Sequence, residues 1–150
     1  MTIKLSIANQ KGGVGKTTTA VNTSAVLSDA GMKVLLIDLD PQANATMGSG
    51  VNKEKIKNSV YEALIGLEDL ASIIIETSFG YDLLPSNREL IGADLDLVDV
   101  EEREYRLKAG LQSIEGNYDY IIIDCPPSLS LLTLNGLCAS NGVLIPMQCE

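Results

Sequence analysis

Aromatic side chains are scarce in this chain: they make up 4% of its 150 residues, with one Phe and no Trp. A core must therefore be built from Ile, Leu, Val and Ala, and the 45% apolar content is enough for one. One domain is the default at this length. Long apolar runs are missing as well. None approaches the roughly 20 residues that a membrane span needs. Residues Met1 to Ala8 lack the basic and then long apolar stretches of a signal peptide, so a cytoplasmic address is expected. Basic residues are outnumbered, 11 Lys and Arg against 20 Asp and Glu, and the net charge of −9 argues against a large nucleic-acid surface on this stretch. Cysteine is limited to Cys125, Cys138 and Cys149, an odd number without paired metal-ligand spacing, and buried, reduced thiols are expected. There is no internal repeat, low-complexity stretch or linker.

What is present is organised around Lys11 to Thr18, which read Lys-Gly-Gly-Val-Gly-Lys-Thr-Thr. Ile3, Leu5, Ile7 and Ala8 ahead of them read as a buried strand, and Thr17 to Asp29 as a helix. A strand feeding a Gly-rich turn that opens a helix is a geometry for holding phosphate: backbone N–H groups point inward and the helix end adds partial positive charge. Lys16 is placed to reach β- and γ-phosphates and the Thr17 hydroxyl to ligate Mg²⁺. The strict P-loop pattern asks for Gly five places before Gly15, where this chain has Gln10. The turn uses Gly12, Gly13 and Gly15 instead, with Lys11 as a second cation at its entrance. Mg-ATP remains a net anion, which gives a second lysine something to balance. The dinucleotide fingerprint Gly-x-Gly-x-x-Gly fails here, because Lys16-Thr17 stands where its third glycine would be.

Further along, Val34 to Ile37 is a continuous apolar run, as in a strand covered on both faces. It leads into Asp38-Leu39-Asp40-Pro41-Gln42, where an extended chain would put Asp38 and Asp40 on one side. Asn44 to Gly50 predicts a short helical turn. Apolar spacing predicts a helix over Val60 to Glu76, opened by a capping box of Ser59 and Glu62. Tyr81 to Leu84 reads as a strand closed by Pro85, and Asn87 to Val100 as partly helical. A helix is expected from Glu101 to Glu115, with Leu107, Leu111 and Ile114 inward and an acidic first turn suited to the helix dipole. Tyr118 to Asp124 is a clear strand ending in a carboxylate, the Walker B pattern, with Asp124 supporting Mg²⁺ through a water. The stiff turn Cys125-Pro126-Pro127-Ser128 follows, then a helix over Leu129 to Ala139 and a strand over Gly142 to Pro146. This alternation implies an α/β fold, a doubly wound, mostly parallel sheet with helices on both faces.

Asn9 to Thr18, Asp38 to Gln42 and Ile123 to Ser128 together resemble the signatures of the ParA/MinD family of deviant Walker A ATPases, and most closely its short ParA, Soj-type branch. The resemblance runs along essentially the whole chain. It implies a P-loop ATPase domain of which residues 1–150 are the N-terminal part, with later strands, the adenine pocket and DNA-binding residues beyond Glu150. It further implies ATP and Mg²⁺ as cofactors, with Lys11, Gly12, Gly13, Val14, Gly15, Lys16, Thr17 and Thr18 holding nucleotide. Lys11, Lys16 and Asp40 would be the catalytic set, and Thr17, Asp40 and Asp124 the metal set. In this family Asp40 helps position the attacking water and Asp38 supports the Mg²⁺ and phosphate region, a division that the residues themselves leave open. The turn at Cys125 to Ser128 would sense the γ-phosphate. The partners implied are a second copy in an ATP-dependent homodimer, whose phosphates Lys11 would contact across the interface, a ParB-like centromere-binding protein, and non-specific DNA. No membrane contact is implied. The alternatives are a MinD-like membrane-positioning ATPase, disfavoured by Asp40-Pro41-Gln42, an iron-protein relative that would need cluster-binding cysteines, and a nucleotide-gated scaffold with negligible turnover.

Overall fold

The apolar runs become neighbouring strands. The structure, a computed structural model, describes residues 1–13 and 15–149. Strands β1 (Ile3–Ile7), β2 (Val34–Asp38), β4 (Asp82–Leu84), β5 (Tyr120–Asp124) and β6 (Gly142–Leu144) pair in parallel, and β3 (Ile75–Glu76) runs antiparallel to β4 at one edge. The order across the sheet is β3-β4-β2-β5-β1-β6. Helices α1 (Lys16–Asp29), α2 (Asn44–Gly48), α3 (Val60–Ile65), α4 (Leu70–Ile73), α5 (Ala93–Asp96), α6 (Arg106–Leu111) and α7 (Leu131–Ala139) connect the strands.

Alternation along the central strands builds two cores. Val34, Leu36 and Ile122 pack on one face with Ala20 of α1. Leu35, Ile37, Ile121 and Ile123 pack on the other with Leu107 and Leu111 of α6 and Leu132 of α7. This is what right-handed crossovers require: α1 carries the chain from β1 across β5 to β2, and α7 carries it from β5 across β1 to β6, in opposite directions and so on opposite faces. The reversal leaves a crevice at the carboxyl ends of β1, β5 and β2, where open parallel sheets bind ligands. Register aligns Ile7 with Asp124 and Asp124 with Asp38 at that end.

Several expected elements are shorter. The helix expected over Val60 to Glu76 is broken at Gly66, which closes α3 at φ 84°, a left-handed conformation that glycine adopts without penalty. The chain restarts as α4, turns extended at Ile74, and pairs Ile75 with Leu83 in β3. The Ser59–Glu62 capping box is present. The helix expected over Glu101 to Glu115 begins only at Arg106, after a 3₁₀ turn at Arg103–Tyr105, because Glu102 is left-handed at φ 51°. The acidic cluster of Glu101, Glu102 and Glu104 therefore lies ahead of α6, with none of it in the helix's first turn. The α6 start is fixed by Asn135 of α7, whose amide accepts from Leu107 N at 3.0 Å and donates to Arg103 O at 2.9 Å. Helix α7 begins two residues later than expected, with Asp94 accepting from Leu131 N at 3.1 Å. The last strand stops at Leu144 rather than Pro146. Of the cysteines only Cys125 is buried; Cys138 is half-buried and Cys149 exposed, against the expectation for all of them.

The contact of α7 with the sheet depends on one missing methyl group. A Cβ at Gly136 would lie 2.7 Å from Cys125 Sγ and 3.1 Å from Leu39 Cδ1. Ser6 Oγ donates to Gly136 O at 2.8 Å and fixes the approach. Gly136→Ala is expected to destabilise the fold by about 1–3 kcal/mol, since overpacking outweighs the gain of about 1 kcal/mol in helix propensity. Urea unfolding should show a lower midpoint; an equal or higher one would mean that α7 can move away from the sheet.

Candidate functional site

The turn from β1 into α1 takes its shape from Gly13 and Gly15, both left-handed at φ 73° and 85°. Gly15 is the N-cap of α1, no side chain caps this helix end, and no acidic residue stands in its first turn. The N–H groups and partial positive charge of a 14-residue helix thus face the crevice with no carboxylate to claim them. Lys16 is only 7% exposed. Among the described residues the one ion pair is Lys4–Glu115, so Lys16 is a buried cation without an ion-pair partner. A buried ammonium is costly until an anion reaches it. The loop is fastened from outside the motif. Asn9 Oδ1 accepts from Lys11 N at 2.9 Å, Asn9 Nδ2 donates to Pro146 O at 2.8 Å, and Gln148 Nε2 donates to Gly13 O at 3.0 Å.

The carboxylates divide into distinct environments. Thr17 Oγ1 donates to Asp124 Oδ2 at 2.8 Å, while Asp124 Oδ1 is buried without a hydrogen-bond partner. Burial pushes Asp124 up to about 6; the Thr17 hydrogen bond and Lys16 oppose this, and Asp40 adds to it. Asp38 is fully buried, accepting from Asp40 N at 3.0 Å and from Thr46 N and Oγ1 at 2.8 Å each. Burial, with the nearby Asp124 charge, raises it to about 7 against those hydrogen bonds. Asp40 is 9% exposed, and its Oδ1 accepts from Gln42 N at 3.0 Å.

Gly12, Gly13, Gly15, Lys16, Thr17, Thr18 and Asp40 line one cleft of about 490 Å³, together with Gln42, Asn44 and Pro127. Lys11 is exposed near the start of the loop and Asp124 is held under Thr17. Val14 lies outside the described residues. Asp38 and Asp40 do not share a side as an extended chain would have them: β2 ends at Asp38, and the turn sends Asp40 to the cleft while Asp38 points to α2. Asp38 is a buried anchor of the turn and does not line the cleft. Unforeseen were Gln42, Asn44 and the clamps from Asn9, Gln148, Thr46 and Ser86, whose hydroxyl donates to Asp40 O. An Asn two residues before Lys11 was the one visible signal, an Asx turn. The others depend on tertiary placement.

Among the described residues, no group of three or more His, Cys, Asp or Glu side chains could hold a metal ion. The Thr17 hydroxyl and the orphaned Asp124 oxygen instead fit a hard cation that brings most of its own oxygen ligands, as Mg²⁺ on a polyphosphate does. Burial pushes the Cys125 thiol up to about 12, away from the thiolate form that binds metals and attacks electrophiles. Among the described residues no helix is long and apolar enough to cross a membrane.

Residues 2–150 match a family model described as an AAA domain. The chain is 58% identical over 146 residues to an uncharacterized protein of Pseudomonas putida KT2440, covering 97% of this chain and 56% of that one. It is 52% identical over 147 residues to the sporulation initiation inhibitor protein Soj of Bacillus subtilis 168, covering 97% and 58%. It is 48% identical over 147 residues to the chromosome partitioning protein ParA of Myxococcus xanthus, covering 97% and 52%. The chain thus spans little more than half the length of these relatives. Among solved structures, cobyrinic acid a,c-diamide synthase of Mycobacterium smegmatis with a bound ATP analog and magnesium superposes with a TM-score of 0.98 at 47% identity, over 100% of this chain and 62% of that one. A plasmid partition protein of Borrelia burgdorferi gives 0.89 at 38% identity, over 100% and 67%.

Proposed function

Because the chain belongs to the AAA domain family, among ATPases of the ParA/Soj partition type, we propose that it is the nucleotide-binding part of a Mg²⁺-dependent ATPase whose ATP-bound form dimerises and serves DNA or chromosome segregation. One observation carries the reading: a buried, unpaired Lys16 at the uncapped N-terminus of α1, beside the Thr17–Asp124 pair. That constellation suits a polyphosphate anion and a hard cation. The relative with bound ATP analog and magnesium is 47% identical.

In this reading Gly12, Gly13, Val14, Gly15 and Thr18 hold phosphate through the backbone, and Lys16 neutralises the β- and γ-phosphates. Thr17 and Asp124 hold Mg²⁺, which when bound supplies charge stabilisation to the phosphates. Asp40, at the cleft wall, orients the attacking water. The water oxygen bonds to the γ-phosphorus, the bond to the β–γ bridging oxygen breaks, and the water's protons leave with phosphate and solvent. Positioning and electrostatics do most of such chemistry, and cationic contacts in trans are worth orders of magnitude in related NTPases. Lys11 would be that contact, reaching the phosphates of the other subunit. DNA contact and a ParB-like activator would engage parts of the protein other than residues 1–150, whose net charge is −9. The cycle would run in the cytoplasm, on the nucleoid, without a membrane.

Lys11→Ala in the full-length protein should bind ATP as a monomer but lose ATP-dependent dimerisation and turnover. Analytical ultracentrifugation with and without ATP checks this; a normal ATP dimer would remove the trans role. The similarity to a cobyrinic acid a,c-diamide synthase favours a second reading, an amide-forming synthase that uses the same nucleotide half. Phosphate release stimulated by DNA supports partition, whereas release that needs a carboxylic acid and an amine donor supports the synthase.

A further inference from the structure

The turn that carries Asp40 is held from a strand that contributes nothing to the cleft. Ser86 follows Pro85 just beyond β4 and is fully buried. Its hydroxyl donates to Asp40 O at 2.6 Å, and its backbone N–H donates to Thr46 Oγ1 at 3.0 Å. Thr46, also fully buried, donates that hydroxyl to Asp38 Oδ2, and Asp38 Oδ1 accepts from Asp40 N. The connections close a ring: Asp40 carbonyl, Ser86, Thr46, Asp38, Asp40 amide. Both backbone polar groups of Asp40 are therefore held by buried partners, while the residue lines the cleft. The neighbouring Pro85 O accepts from Val60 N at 2.8 Å, which ties the same corner to α3.

A buried polar ring is a costly way to fill space that Ala and Val could occupy, and its return is a defined geometry. Its members lie on β2, on α2 and after β4, so no local preference of the 38–42 turn could hold it alone. We propose that Ser86 is a positioning residue for ATP hydrolysis: through the Asp40 carbonyl, and through Thr46 and Asp38, it sets where the Asp40 carboxylate stands against the attacking water. This rests on the assignment of Asp40 to hydrolysis made above. Removing the Ser86 hydroxyl leaves Asp40 O with its second donor, Ala43 N at 2.9 Å, so the turn stays satisfied but less constrained.

The test is a double-mutant cycle in the full-length protein, read by single-turnover hydrolysis and by ATP affinity. Ser86→Ala should slow hydrolysis about tenfold to a hundredfold, as a misplacement of the order of 1 Å does, with ATP affinity changed less than about twofold. In an Asp40→Ala background the same substitution should have almost no further effect, because the group it positions is gone. Thr46→Val should mimic Ser86→Ala, and Thr46→Ser, which keeps the hydroxyl, should restore most of the rate; this pair decides the question if Ser86→Ala does not fold. Unchanged hydrolysis in both Ser86→Ala and Thr46→Val, or an equal further loss in the Asp40→Ala background, would overturn the proposal while leaving Asp40's role intact. Full hydrolysis by Asp40→Ala itself would instead overturn the reading on which the proposal rests.

Discussion

Lys16→Ala in the full-length protein should weaken ATP binding by about 2–5 kcal/mol, a loss of roughly thirtyfold or more, while the fold remains intact. The binding loss follows from position: Lys16 is the buried cation of the cleft, at the start of α1, where the phosphates would lie. The intact fold follows from the missing partner. No carboxylate lies within salt-bridge distance of Lys16 among the described residues, so its removal breaks no ion pair and relieves a desolvation cost, at the expense of the weaker attraction between Lys16 and the buried Asp124. Thermal unfolding without nucleotide should be unchanged or shifted upward, and calorimetric titration should show the lost affinity. Unaltered ATP affinity would remove the phosphate-loop assignment. A collapse in nucleotide-free stability would mean that Lys16 is a structural residue.

Asp40→Ala should separate binding from chemistry. This carboxylate is fixed by its backbone ring and by the turn through Gln42 N, and it reaches the wall of the cleft. A negative group there is poorly suited to hold phosphate and well suited to orient a water. Its loss should matter mainly in the transition state, lowering turnover by roughly tenfold to a thousandfold with little change in affinity. The variant should bind ATP, dimerise and remain dimeric. Single-turnover hydrolysis measured beside dimer lifetime decides this, and weak binding with normal turnover of bound ATP would place Asp40 in the ground state instead.

The parts legible in the sequence were those with a local physical cause. Val34 to Ile37 and Ile121 to Ile123 are apolar without alternation, and each lies buried on both faces of the sheet. Lys11 to Thr18 combine glycines, a lysine and a hydroxyl in an order with few other uses, and most of their described members gather at one cleft. Helix lengths were less legible. The apolar spacing from Val60 to Ile75 continues through Gly66, but a left-handed glycine ends α3, and Ile75 gains a strand partner in Leu83. Spacing reports which residues face inward, and α3 (Val60, Leu64) and α4 (Leu70, Ile73) share one core with little regard to a continuous helical phase. The roles within Asp38-Leu39-Asp40 were illegible for a related reason. Period-2 logic treats the two acids alike, yet Thr46 on α2 and Ser86, from a distant part of the chain, turn one inward and leave the other at the cleft.

The central claim is that the carboxyl ends of β1, β2 and β5 form one site for Mg-ATP. Its most direct test is a calorimetric titration of the full-length wild-type protein with ATP, with and without Mg²⁺. The account predicts saturable binding of one ATP per chain, tightened by Mg²⁺ because Thr17 and the unpartnered Asp124 oxygen gain a cation. Absence of saturable binding, or an affinity indifferent to Mg²⁺, would contradict it.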